Sequence, residues 1–534
     1  MKIPLLLASL LFGSHALSQA AESGAGKAET RRPNLVFLFC DDLASQAISA
    51  YGHSLKLLET PNIDRLAKEG MLFERCLVPN SLCGPSRAVI QTGKYNHLNG
   101  FYHNNSRFDG SQQTFVKQLH EAGYQTAVIG KWHLVSDPEG FDHWHILPGQ
   151  GVYYNPPMIR DGEKLKHSGY TTDLISEFSV EWIKNRDKSK PFLLMSQHKA
   201  PHREWAPALR HLGWNGERVF PEPKTLFDDY SGRGLAEVSQ DMTLAKTFND
   251  RDAKLVPPPG MTPEQLAKWN AYYEPRNVGV DQLSGEALVR WRYQRYLHDY
   301  LGTVKAVDEA VGAMLDTLEA EGIADETLVV FSSDQGFYLG EHGWFDKRWI
   351  YEESLTTPLL ARWPGKIGAG TRGKGLVSLL DLPETFLEVA GEPVPPDMQG
   401  HSLMPFFAND GKAPAEWRTS FYYHYYEYPG PHSVRKHYGV VTDRYKLFHF
   451  YEPETNYWTL IDREKDPDEM TNVYGNADYA KVQSDLHAEL RRLRVELKVP
   501  EQDVPESYIR NAQGGGKGKA KEQAKGKGQA KGAK

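Results

Sequence analysis

The chain has 534 residues, 40% of them apolar and 11% aromatic, so it can bury a large core and is too long for one domain of ordinary size. Its net charge of -7 understates the acidity of the main body, because the last eighteen residues carry seven lysines against Glu522 alone; that balance argues against a general nucleic-acid binder, which is basic throughout. Beyond the extreme N-terminus no stretch approaches the roughly 20 apolar residues of a membrane span, so no integral membrane segment is expected.

Met1 and Lys2, an apolar run from Leu5 to Phe12, and small residues at Ala16, Ser18 and Ala20 predict a signal peptide over residues 1–20, hence a secreted or periplasmic protein. Residues 21–32 are polar and predict a disordered linker, after which the main domain is expected over 33–405. Asn34 to Phe39 is an unbroken apolar run of the kind buried on both faces of a parallel sheet, and it ends in Cys40, Asp41 and Asp42. Adjacent carboxylates at a strand end repel unless a cation separates them, and their hard oxygens favour Ca²⁺ or Mg²⁺; a solvated turn is the plainer reading. Cys40 and Cys76 either form one bridge or fill the core, and the core reading is preferred. Thr60 to Gly70 predicts a helix capped by Thr60, opened by Pro61 and stopped by Gly70.

Residues 79–100, PNSLCGPSRAVIQTGKYNHLNG, put Pro85 in the first turn of a short helix and Gly93 just past its end, which sets Cys83 at the helix N-terminus. Unpaired N–H groups and the positive end of the dipole there lower a thiol pKa and attract an anion, and Arg87 adds a forked positive charge. Taken alone, such a cysteine reads first as a buried core residue. A helix over 114–122 leads into a strand from Gln125 to Ile129, which delivers Lys131 and His133 at its carboxyl end. A helix from Asp173 to Asn185 leads into a strand from Phe192 to Ser196, which delivers His198, Lys199 and His202.

Residues 203–285, rich in Trp, Pro and Arg with one helical piece near Pro263 to Tyr273, read as an irregular insertion lining the site. The long helix from Leu288 to Ala320 carries Trp291, Tyr296, Tyr300, Val304, Val307 and Val311 at core spacing. A buried strand from Thr327 to Ser333 delivers Asp334 and Gln335, and a further helix is expected over Leu376 to Val389. Residues 415–500 predict a smaller α+β subdomain with a short antiparallel sheet and one helix near Asp478 to Leu497. The basic tail at 511–534 has too few apolar groups to fold and serves either solubility or a polyanion contact. The fold class is α/β, a large mixed and mostly parallel sheet sandwiched by helices. Ligands of such sheets bind beyond the carboxyl ends of the strands, so the four polar strand ends are expected to converge on the Cys83 helix. Three carboxylates there ask for a cation, while Arg87, Lys131 and Lys347 leave positive charge for an anionic group, sulfate or phosphate.

C-G-P-S-R at 83–87 is similar to the Cys-x-Pro-Ser-Arg signature of type I, formylglycine-dependent sulfatases of the alkaline phosphatase superfamily, and the resemblance runs along almost the whole chain. It implies an alkaline phosphatase-like fold and conversion of Cys83 to formylglycine by a formylglycine-generating maturation enzyme. It also implies a Ca²⁺ site, with Mg²⁺ as the alternative, made by Asp41, Asp42, Asp334 and Gln335 beside the residue at 83. Gln335 departs from the commoner Asn or His of the family, though its carbonyl is still a hard donor. The family pattern assigns sulfate contact to Lys131 and Lys347, charge stabilisation to Arg87, a base to His133 and the leaving-group acid to His202 in preference to His198, with His198 and Lys199 read as substrate-facing or supporting. GEHGWFDKR and YYEYPGPHSVRKHYG look most like exported bacterial sulfatases of the N-acetylglucosamine-6-sulfatase and iduronate-2-sulfatase type. His342, Trp344, Arg348, His432 and Arg435 are the candidate sugar contacts. The implied activity is sulfate removal from a sulfated saccharide. The alternatives are a phosphodiesterase or phosphonate hydrolase of the same superfamily, and a noncatalytic sulfated-glycan binder in which Cys83 stays a thiol.

Overall fold

The structure, a computed structural model, describes residues 32–502; the leader at 1–20, the linker up to residue 31 and the tail at 511–534 lie outside the described residues. Ten strands form the main sheet, in the order Thr371–Gly373, Met71–Phe73, Leu359–Arg362, Thr327–Ser333, Asn34–Cys40, Phe192–Gln197, Gln125–Lys131, His143–Leu147, Pro157–Arg160 and Glu163–Lys166. Asn34–Cys40 lies at its centre, buried along its whole length and parallel to both neighbours, with Val36 opposite Val329 on one side and Leu194 on the other. Antiparallel pairing appears only outside that parallel block, at Leu359–Arg362 and at the Pro157–Arg160 hairpin, so the sheet is mixed with a parallel core.

The two-residue period of the central strand sorts its side chains between two cores. Val36, Leu38 and Cys40 join the core that includes residues of Gly285–Ala320, Thr171–Asn185 and Pro61–Glu69. Leu35, Phe37 and Phe39 join the opposite core, with residues of Cys83–Thr92, Phe115–Glu121 and Leu382–Val389. Cys40 and Cys76 therefore face opposite layers, and both are free, buried thiols.

The helix expected from Leu376 starts only at Leu382. Val377–Ser378 instead pairs with Cys76–Leu77 as a short strand, and a Ser378–Asp381 capping box closes the turn that follows. Pro383 has no N–H to donate and fits only a first helical turn, so the helix begins there and the preceding residues are recruited by the sheet. Trp291, placed by its spacing with the core, is only partly buried.

The second sheet is antiparallel, Ser420–Tyr425, His437–Thr442, Tyr445–Phe450 and Tyr457–Asp462, and packs against the helix Ala480–Glu496. It grips the segment after Lys347. The Tyr423 hydroxyl donates to the Arg348 carbonyl (2.7 Å), Lys446 Nζ donates to the Ile350 carbonyl (3.0 Å), and the Ile350 N–H donates to His437 Nε2 (3.2 Å). The C-terminal sheet thus fixes a loop whose working residues point back into the larger domain.

Candidate active site

Four adjacent parallel strands bring their carboxyl ends together, in the sheet order Thr327–Ser333, Asn34–Cys40, Phe192–Gln197 and Gln125–Lys131. The helix Cys83–Thr92 aims its first residue at the same place, where Cys83 Sγ lies 3.9 Å from Asp42 Oδ1 and 3.8 Å from Gln335 Nε2. Pro85 sits in its first turn, and Gly93 closes it at φ 65°, a conformation that glycine adopts without a Cβ penalty. Gly130 is needed for another reason: a Cβ there would lie 1.9 Å from the Gln197 carbonyl oxygen. Its absence lets the Lys131 and Gln197 strand ends approach closely enough for Arg87 to bond both.

Each carboxylate has a close basic partner, and Arg87 also lies 3.9 Å from Asp41. Lys131 Nζ contacts Asp41, Lys347 Nζ spans both oxygens of Asp42 at 2.6 and 2.7 Å, and Arg87 clasps Asp334 at 3.1 and 3.2 Å. Arg87 is further held by the Lys131 carbonyl (2.6 Å) and Gln197 Oε1 (2.9 Å), with its guanidinium over the Phe39 ring. Asp42, His133, Asp346, Arg348 and His432 all have positive φ. Non-glycine residues in that region cost about 1–3 kcal/mol each and persist where surrounding structure enforces them, as at functional sites.

Burial raises the Asp42 carboxyl to about 7 even though Lys347 opposes the shift. Burial also works against the Lys347 charge, but Asp42, Cys83 and Asp346 outweigh it and raise the ammonium. His133 and His202 are both pushed well below the usual imidazole range, by burial first and then by nearby Lys131, Lys347 and Lys199. The expectation for Cys83 is reversed. Burial raises its thiol well above the ordinary value, outweighing the nearby Lys347 and Arg87 charges, so the helix start does not yield a thiolate.

Ligand atoms of Asp41, Asp42, Cys83 and His202 lie within 4.8 Å of one another. Asp41 Oδ1 and Gln335 Oε1 are buried with no hydrogen-bond partner. Unsatisfied buried oxygens beside further carboxylates are the donor set of a hard divalent cation, so these residues fit Ca²⁺ or Mg²⁺. With a cation there, the three carboxylates no longer need Arg87, Lys131 and Lys347 as sole counter-ions, which leaves those groups for an anion.

A model of the sulfatase family matches residues 33–392. The chain belongs to the sulfatase family. Residues 340–496 also match the model described as N-sulphoglucosamine sulphohydrolase, C-terminal. This sulfatase is 47% identical over 522 residues to an N-acetylglucosamine-6-O-sulfatase of Bacteroides thetaiotaomicron, covering 94% of this chain and 93% of that one. It is 28% identical to the human N-acetylglucosamine-6-sulfatase, covering 73% of this chain and 67% of that one. Among solved structures, one described as in complex with its substrate D-glucosamine-2-N,6-O-disulfate superposes with a TM-score of 0.86 at 48% identity, covering 88% of this chain and 99% of that one. A phosphonate monoester hydrolase of Agrobacterium radiobacter superposes at 0.62 with 21% identity, covering 87% and 96%, which shows a shared fold alone.

Within this sulfatase, His202 and not His198 joins the carboxylates: His202 Nε2 is 3.7 Å from Asp42 Oδ2, and its Nδ1 contacts the Arg203 carbonyl at 2.6 Å. His198 is buried, with Nδ1 unpartnered and its pKa lowered to about 4 by burial. Lys199, lowered to about 8 by burial, lies over the Tyr153 ring and lines an approximately 420 Å³ cleft with His202, Arg203 and Arg251. Arg203, Glu204, Asn249, Arg251, Pro258 and Pro259 are the residues of the 203–285 segment that line this cleft.

His342 and Trp344 are not brought to the site. Trp344 is fully buried between the parallel faces of Tyr230 and Trp349, and His342 is buried against Asp228 (3.0 Å) and Trp344. Hydrophobic burial claimed these residues, which a motif-adjacent position could not reveal. Arg435 is also drawn elsewhere, to Glu454 (3.3 Å) and over Tyr428. Arg348 and His432 remain close, forming ion pairs with Asp346 at 3.3 and 3.2 Å, and Asp346 accepts from the Lys347 N–H at 2.8 Å; Arg348 also donates to Glu427 (2.6 Å).

Sequence reasoning missed Gln197, Gln150, Asp346 and Tyr300. Gln150 Oε1 receives Lys131 Nζ at 2.6 Å, and the Tyr300 hydroxyl donates to the Asp42 carbonyl (2.7 Å) while accepting from the Ala44 N–H (2.8 Å). Tyr300 shares the helical spacing of its core neighbours, so only tertiary contact distinguishes it. Gln197 could have been noticed as the polar residue ending an apolar strand.

Proposed function

We propose that this sulfatase removes 6-O-sulfate from glucosamine residues of a sulfated glycan, with formylglycine at position 83 and Ca²⁺ as the resident cation. The observation that carries the reading is the pairing of three buried carboxylates with Arg87, Lys131 and Lys347 around Cys83. A cation on the carboxylates frees the three basic groups to cradle a sulfate. The glucosamine assignment is supported by the Bacteroides relative and by the substrate named for the superposed structure. The raised thiol pKa supports an oxygen rather than a sulfur nucleophile.

Formylglycine at position 83 would, as its hydrate, supply the oxygen nucleophile and a second hydroxyl for release of sulfate, and a cation held by Asp41, Asp42, Asp334 and Gln335 would polarise the attacking oxygen. The chain's own residues do the rest. Lys131 and Lys347 bind the sulfate oxygens and Arg87, locked by four hydrogen bonds, stabilises charge at position 83. His202 gives the departing sugar oxygen its proton. Burial first, and then the charges of Lys131, Lys199 and Lys347, hold its ring neutral; an anion seated among those lysines offsets the second contribution, which favours the proton in the loaded site. His133, neutral through burial and with a buried free Nδ1, is the base that takes a proton in the release step. Arg348 and His432, tied to Lys347 through Asp346, are the sugar-facing candidates.

A formylglycine-generating enzyme is the partner this requires, and the leader read at residues 1–20 puts the substrate outside the cytoplasm. The test is sulfate release from 6-O-sulfated N-acetylglucosamine, from a 2-O-sulfated uronate disaccharide, and phosphate release from matched phosphate and phosphonate esters. The 6-O-sulfated sugar should be strongly preferred. A preference for phosphate or phosphonate esters would replace this reading with the hydrolase alternative, and a preference for the uronate would move the specificity.

A further inference from the structure

A second pocket, of about 320 Å³, lies between the insertion and the long helix Gly285–Ala320, where Arg218, Arg276 and Arg295 meet Tyr272 and Trp291. Its guanidinium groups are bonded chiefly to neutral carbonyls. Arg218 donates to the Lys56 and Leu57 carbonyls, Arg295 to those of Ala253 and Arg276, and Arg276 to that of Tyr272. The acidic residue in the lining is Glu217, whose side chain is 96% exposed and 3.9 Å from Arg276. Carbonyl bonds satisfy a guanidinium's geometry without cancelling its charge; beneath the pocket Asp299 takes His298 Nδ1 at 2.9 Å and feels Arg295, so three guanidinium groups face two carboxylates and the balance stays positive in a chain of net charge -7.

Aromatic rings are built into this charge: Arg276 lies 4.0 Å from the Tyr272 ring centroid and Arg295 5.0 Å from that of Trp291. The pocket is also mechanically joined to the catalytic cleft. Arg295 holds the Ala253 carbonyl, and the preceding residue, Asp252, clasps Arg203 of the cleft at 2.8 Å. On the same helix Arg295 precedes Tyr300, the residue bonded to the Asp42 carbonyl, by five positions, about 8 Å along the axis.

From these contacts we infer that the pocket is an exosite for an anionic saccharide, holding a more distant, sulfated part of the same glycan chain whose end enters the catalytic cleft. This inference rests on the sulfated-glycan reading above. Three guanidinium groups against the exposed Glu217 and the buried Asp299 leave a positive balance that suits sulfates, the Tyr272 and Trp291 side chains suit sugar rings, and the overall negative charge disfavours unselective polyanion binding. A long glycan then gains affinity from two linked contacts, whereas a monosaccharide uses one.

The experiment compares Arg276→Glu, Arg218→Glu and their combination with the parent enzyme. Both side chains are exposed, so folding should be retained. For a long sulfated glucosamine polysaccharide the double variant should raise KM by roughly tenfold with kcat little changed, and the difference should shrink as salt is added. For 6-O-sulfated N-acetylglucosamine both constants should stay at parent values. Equal KM for parent and double variant on the polysaccharide, or equal losses on polymer and monosaccharide, would overturn the exosite. A second arm separates failure of the exosite from failure of the substrate reading. The full chain carrying Cys83→Ala is retained on the immobilised polysaccharide, and the two arginine changes should weaken that retention in a salt-dependent way. Unchanged retention overturns the exosite whether or not sulfate is released by the active enzyme.

Discussion

Lys347→Met would separate two tasks, neutralising Asp42 and the proposed contact with sulfate. Lys347 Nζ lies 2.6 and 2.7 Å from the two oxygens of Asp42, and both groups are buried. Removing one partner of a buried pair leaves the other charge unpaired, which typically costs about 3–5 kcal/mol. Burial has already raised Asp42 to about 7 with Lys347 in place, so part of this cost will be relieved by protonation of Asp42 in the metal-free variant. In EDTA, urea unfolding of the variant should therefore show a stability loss of about 2–4 kcal/mol. Added Ca²⁺ should restore much of that loss, because a cation among Asp41, Asp42, Asp334 and Gln335 replaces the missing charge. It should not restore activity. Loss of a group that stabilises charge in the transition state lowers kcat by roughly 10²–10³, and this deficit should persist at saturating Ca²⁺. A variant that regains near-parental kcat with Ca²⁺ would show that Lys347 only neutralises Asp42, and would refute its contact with sulfate.

Three further outcomes follow from the same geometry. His202→Gln should slow hydrolysis of a sugar sulfate by about 10²–10⁴ while barely affecting an activated aryl sulfate, whose leaving group needs no proton; equal losses on both would remove His202 as the acid. Mass analysis of the Cys83 peptide, from enzyme produced with a maturation partner, should show aldehyde in place of thiol, and full activity in protein carrying only thiol would contradict the proposed nucleophile. Glu384, on the helix below the Cys83 layer, has its carboxyl raised to about 8 by burial and then by Asp381. A raised folded-state pKa contributes stability that is complete below the unfolded value of 4.5 and is lost as pH rises through about 8. Glu384→Gln should thus match the parent near pH 4 and exceed it by on the order of 4 kcal/mol near pH 9 in urea unfolding; a constant difference across that range would contradict the shift.

Much of the architecture was legible because burial leaves a plain trace in a chain. Asn34–Cys40 and Thr327–Ser333 are apolar runs with polar ends, and they became adjacent parallel strands whose ends carry Asp41, Asp42, Asp334 and Gln335. Pro85 and Gly93 bounded the helix that starts at Cys83 for local reasons of N–H supply and left-handed geometry. The segment at Leu376 was misjudged because Val377 and Ser378 pair with Cys76 and Leu77, about 300 residues away, and helical propensity does not register such a partner.

The sequence by itself determined which residue types could meet at the site: acids, amides and bases at four strand ends, and Cys83 at a helix start. Those choices rest on backbone sterics, period and polarity, which are local. Only the tertiary structure decided that Asp42 faces Lys347, that His202 and not His198 reaches the carboxylates, and that Trp344 is enclosed by aromatic rings. It also reversed the expected thiol pKa of Cys83, because desolvation depends on everything packed around a group, whereas a helix dipole can be read from the helix alone.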